Sequence, residues 1–89
     1  MNRYFKRPWD ETTGDLSTDD WGSSVYYFET DQTGDVLRQL EVFTNSRRLK
    51  YTTEYLQDEY GGLSEVPLDL DEFKEFEISK DEFEKEWFQ

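Results

Sequence analysis

SVYYFETDQTGDVLRQLEVFTNSRRLKYTT, Ser24–Thr53, is the stretch that decides the fold. Three runs in it, Ser24–Thr30, Val36–Thr44 and Arg47–Thr53, are rich in Val, Leu, Tyr, Phe and Thr, which suit a pleated, half-buried surface. Two gaps separate them. Asp31-Gln32-Thr33-Gly34-Asp35 holds a glycine that can take a positive φ, and Asn45-Ser46 is shorter and tighter. The expectation is a three-stranded antiparallel meander over residues 24–53.

The register follows from the loops. A two-residue Asn45-Ser46 loop pairs Val42 with Leu49 and Leu40 with Tyr51, giving one apolar face. On the other face it sets Glu41 against Lys50 and Phe43 against Arg48, an ion pair and a cation–π contact worth about 0.2–1 kcal/mol each. A five-residue first loop pairs Tyr26 with Leu40 and Phe28 with Arg38. A slip by one residue sets Lys50 opposite Val42 or Phe43 opposite Leu49 and mixes the faces.

Working outward, Met1–Arg7 is basic and aromatic and suits a fourth short strand, which Pro8 is expected to stop. Pro8–Ser23 is polar and turn-rich yet holds Trp9 and Trp21, which suit a cap on the open end of the sheet or an interface anchor. Beyond the meander, Glu54–Leu63 reads as an irregular loop or one helical turn, with Gly61-Gly62 as its turn signal. Asp69–Phe76 reads as a short helix capped by Asp69 or Asp71, with Phe73 and Phe76 on one face. Ser79-Lys80-Asp81-Glu82 matches a capping box, and Ile78 can staple onto Phe83. A helix over 80–88 follows, with Phe83 and Trp87 on one face and Asp81 and Lys85 paired one turn apart. It is too short to stand alone and must dock on the sheet. The fold class read from these elements is α+β in a single domain, residues 1–89.

Composition narrows the chemistry. The chain has 89 residues with Trp 3, Tyr 6 and Phe 7, and neither Cys nor His. A core this small has to be filled by a few large aromatics. Without Cys or His, thiolate chemistry, disulfides, the commonest general base and the commonest metal ligand are missing. Adjacent carboxylates are plentiful, but no nucleophile–base motif, calcium loop or phosphate loop accompanies them. The expectation is no enzyme activity, no metal and no cofactor. No apolar run is long enough for a signal peptide or membrane span, so a cytoplasmic protein without membrane partners is expected.

The net charge is −12 and most of it lies in one half, residues 51–89 carrying −10. Such a half repels nucleic acid and steers toward a basic protein. The same charge also keeps a small protein dissolved. The candidate partner-binding residues are Asp58, Glu59 and Tyr60 beside the glycine pair, and Asp69, Asp71, Glu72 and Glu75 on the short helix. A bare outer strand would also allow edge-to-edge pairing, so the expected state is a monomer or weak homodimer.

RYFKRPWDE (Arg3–Glu11), YYFET (Tyr26–Thr30), VLRQLEVF (Val36–Phe43), DEYGGL (Asp58–Leu63) and EISKDEFEKEW (Glu77–Trp87) together resemble a family of small, acidic, uncharacterised bacterial proteins. Some of its relatives are grouped with the immunity proteins of polymorphic-toxin and contact-dependent inhibition systems. The resemblance spans nearly the whole chain and implies a compact α+β domain and toxin neutralisation, with no catalytic residue to carry over. In place of Asn45-Ser46 it implies a glycine-containing turn. A regulatory or housekeeping interaction module remains the alternative function, and a nucleic-acid mimic a third.

Overall fold

The fold is that of a computed structural model, which describes residues 2–9 and 21–89. Strands β1 (Arg3–Trp9), β2 (Ser24–Thr30), β3 (Val36–Phe43) and β4 (Arg48–Thr52) are joined by the two-residue strand β7 (Glu77–Ile78) in one antiparallel sheet of order β4-β3-β2-β1-β7. A separate two-stranded hairpin, β5 (Gln57–Asp58) and β6 (Gly61–Gly62), lies between β4 and helix α1 (Leu70–Phe73) in the chain. Helix α1 runs into a 3-10 turn, Lys74–Phe76, and helix α2 (Lys80–Trp87) follows β7. The α+β class is therefore as expected, but the sheet has five strands rather than three or four.

The extra strands come from the two ends of the described chain. β1 pairs with β2 along its whole length, Arg3 opposite Thr30 through Trp9 opposite Ser24. Pro8 does not stop it, because β7 reaches only Tyr4 and Phe5 and leaves Pro8 with a strand partner on one side only. Of the expected Pro8–Ser23 loop, residues 10–20 lie outside the described residues. Trp21 packs edge-on against Phe43, ring centroids 5.0 Å apart, and so covers one end of the sheet.

Both hairpin registers differ from expectation. Between β3 and β4, Val42 faces Arg48, Glu41 faces Leu49, Leu40 faces Lys50 and Gln39 faces Tyr51. The loop has three residues, not two: the Phe43 amide donates to the Arg47 carbonyl, and Ser46 takes φ +74°. Between β2 and β3 the expected pairing near the loop would set Thr30 opposite Val36, and it does. A bulge then skips Leu37, so that Tyr27 rather than Tyr26 faces Leu40. The bulge turns Val36 to the side of Phe5 and Phe28.

These registers make sense because both faces of the sheet are covered. One face carries Tyr4, Tyr27 and Leu40 with Val25 and Val42, and α2 lays Phe83 and Trp87 across it. The other carries Phe5, Phe28, Phe43, Leu49 and Tyr51, under α1, the segment around Leu63–Leu68, Tyr60 and Trp21. Placing Arg48 and Lys50 on the first face, beside Arg38, is the slip that mixes the faces if one of them is assumed wet. In the folded chain those cations meet α2. Arg38 bridges Glu29 at 2.5 Å and Glu84 at 2.7 Å, and its guanidinium lies over the rings of Phe83 and Trp87. Arg48 bonds both the carboxylate and the carbonyl of Glu86, and the Lys50 ammonium donates to the Trp87 carbonyl. Carbonyls at the C-terminal end of a helix carry partial negative charge, so cations supplied by the sheet complete α2.

The helices follow their sequence signals closely. Asp69 accepts from the amides of Asp71 and Glu72, and the Ser79 hydroxyl accepts from the Glu82 amide. Ile78 and Phe83 pack in one cluster, as the staple requires. α2 ends one residue earlier than expected, with Phe88 as its C-cap, and no Asp81–Lys85 bridge forms. The expected 69–76 helix is split into α1 and the 3-10 turn. Phe73 stands edge-on to both Phe5 and Phe28 at 6.0 Å.

Candidate protein-binding surface

Seven of the chain's ten cations lie in or beside the sheet, and each is engaged there. Besides Arg38, Arg48 and Lys50, Arg3 makes a two-pronged contact with Glu77, both bonds 3.0 Å, and Arg7 approaches Glu72 at 3.8 Å while lying over Phe73 and Phe76. Lys6 lies over Tyr27 and Arg47 over Trp21. Many of the carboxylates left over are exposed. Glu54, Glu59, Glu65, Asp71, Glu75, Asp81 and Glu82 pair with no described cation.

The predicted binding residues divide on this basis. Asp58 is structural: its carboxylate accepts from the Tyr51 hydroxyl at 2.9 Å and from the amides of Tyr60 and Gly61. Burial alone would raise its pKa, but the Tyr60 amide and the other donors together hold it below the usual carboxylate range. Tyr60 is half-buried against Trp21, centroids 5.0 Å apart. Asp69 is spent on the α1 cap and Glu72 on Arg7. Glu59, Asp71 and Glu75 alone of the seven are exposed and unpaired among the described residues. The hairpin rests over Gln39 and Tyr51 and α1 over Phe5 and Phe28, on the same face of the sheet. The Gly61-Gly62 turn is also corrected: both glycines are in β6, and the turn is Glu59-Tyr60. A side chain at Gly62 would sit 2.8 Å from the Leu56 carbonyl, so the close approach of β6 to the strand before it demands glycine.

Few aromatics reach the surface. Tyr4, Tyr27 and Tyr51 are buried, while Tyr55 at 51% and Phe88 at 75% are the exposed rings among the described residues. Sequence reasoning did not single out Leu56 and Val66, which are 59% and 72% exposed. Their only sequence signal was the absence of any helical or strand period around them.

Two buried carboxylates face opposite sides of the sheet. Glu29 lies beside Arg38 and accepts from Tyr4 and Asn2, both at 3.0 Å. Although burial would raise its pKa, Arg38 and the hydroxyl and amide donors lower it. Glu41 accepts from the Ser24 hydroxyl at 2.7 Å and makes no ion pair with a described cation. Burial raises its pKa, only partly opposed by the hydroxyls of Ser24 and Tyr26.

No helix among the described residues is long and apolar enough to cross a membrane. Compared with family models, with curated proteins and with solved structures, the chain gives no match.

Proposed function

We propose that this chain is a protein-binding module for a basic partner, and that it works as an immunity-type inhibitor that occludes a basic toxin. The observation that carries this reading is the division of charge. The cations of the sheet are held by internal carboxylates, carbonyls and rings, and the unpaired acids stand outward on the hairpin, α1 and α2. A surface of one sign speeds encounter with an oppositely charged protein, and the effect is screened by salt. The resemblance to immunity-grouped bacterial proteins favours a toxin over a regulatory target.

The test is capture by the tagged full-length chain in its own host at low and high ionic strength. The expected result is a basic protein whose recovery falls steeply with salt. Expressed alone it should be toxic, and co-expression of this chain should restore growth. A captured protein that is acidic, or harmless by itself, would overturn the inhibitor reading.

A further inference from the structure

Hairpin β5–β6 stands apart from the main sheet, and beside it runs an open groove of about 560 Å³ lined by Leu56, Gln57, Gly62, Leu63, Ser64 and Glu65. One wall is fixed to the sheet without any ligand. The buried Gln39 side chain donates to the Gly62 carbonyl at 3.1 Å and accepts from the Ser64 amide at 2.9 Å. Leu63 is anchored through its amide to the Leu56 carbonyl at 2.8 Å and packs into the core. Leu56, which lines the groove, is 59% exposed, and Tyr55 and Val66, close to the lining residues in the chain, are exposed as well. Glu54, Glu59 and Glu65, exposed and without a described cationic partner, belong to the same stretch.

We propose that this groove seats an extended segment of a partner protein in which one aliphatic side chain is flanked by lysine or arginine. The proposal rests on the reading that the partner is basic and adds where it docks. The aliphatic side chain covers Leu56 and Leu63, while its cationic neighbours reach Glu65 and Glu59. Pre-formed walls lower the ordering cost of binding, and the apolar contact supplies the slow dissociation that charge alone does not. A second copy of this chain is a poor occupant. Its sheet cations are already engaged, and two chains of net charge −12 repel each other.

The probe is a pentapeptide with a central leucine and two lysines on each side, titrated at low salt into the isotope-labelled full chain and followed by amide chemical shifts. Expected are saturable shifts concentrated in residues 54–66. Leu56→Ser should weaken binding at least about fivefold, the scale of one lost aliphatic contact, with amide shifts of the sheet and α2 unchanged. Glu65→Gln should flatten the salt dependence. Replacing the peptide's leucine by serine should weaken it as Leu56→Ser does, and replacing its lysines by glutamate should abolish it. Shifts centred on the carboxylates of α1 or α2 would overturn the groove and leave the basic-partner reading standing. No saturable binding at any site would overturn both. A concentration-dependent dimer lost on Leu56→Ser would overturn the proposed occupant.

Discussion

Replacing Arg38 by methionine tests why β3 and β4 take the register they do. The guanidinium holds Glu29 and Glu84 at once and lies 4.8 Å from the Phe83 ring centre and 5.0 Å from that of Trp87. Hydrogen bonds to charged groups contribute about 1.5–3 kcal/mol each, and a cation over an aromatic face about 0.5–1 kcal/mol. Methionine keeps the apolar stem, and the Arg38 side chain is 20% exposed, so solvent screening reduces the sum. Glu29, left with Tyr4 and Asn2 as donors, adds a cost of its own. The net loss is about 3 kcal/mol, at the low end for breaking a buried pair. A chain of this length has about 5–13 kcal/mol in all, so the melting temperature should fall by roughly 15 °C. Urea denaturation followed by tryptophan fluorescence measures the change, and a double-mutant cycle with Glu84→Gln isolates the strand–helix coupling, expected at about 1–2 kcal/mol. A loss under about 1 kcal/mol with coupling under about 0.5 kcal/mol would refute the idea that α2 holds the cationic face of the sheet in place.

Three further outcomes follow from particular residues. Glu41→Gln should stabilise the fold by about 1 kcal/mol near neutral pH by removing a buried charge that has no described cation. Because the folded-state pKa of Glu41 is raised, the wild-type deficit is present above that pKa and fades as pH falls through it toward the unfolded value, so the gain should shrink in denaturation series run toward acid. Equal effects at every pH would exclude this account. Gly34→Ala should cost about 2 kcal/mol, since φ is +97° and the new methyl would lie 2.4 Å from the Leu68 carbonyl oxygen; calorimetry reads it directly. Ser46→Gly should stabilise by about 0.5–1 kcal/mol by relieving a positive φ at a non-glycine residue, seen as a higher urea midpoint at unchanged slope.

The parts of the fold legible in the sequence are those set by neighbours. Ser79 and Glu82 mark the start of α2, Asp69 marks α1, and Gly34 marks the first turn, because each acts within four residues of itself. The register was not legible. Leu40, Val42, Leu49 and Tyr51 look like one apolar row until the acids and carbonyls of α2, nearly forty residues on, give Arg48 and Lys50 a buried destination. Asp58 and Tyr60 failed as surface residues for a similar reason. Nothing near them in the chain says that Tyr51 and Trp21 will claim their polar and aromatic groups. What survived is the excess of negative charge itself, since composition alone determines it.

The placement of α2 bears on synthesis. Every residue of the four long strands leaves the ribosome before Lys80–Trp87 does, so the newly made sheet carries an arginine- and tyrosine-rich side with no cover. Residues 1–79, with 8 basic and 18 acidic side chains, are already strongly acidic, so what stays open until that helix is translated is one cationic, aromatic face on an acidic molecule. Completion of that helix is the moment at which this face closes to other molecules in the cell.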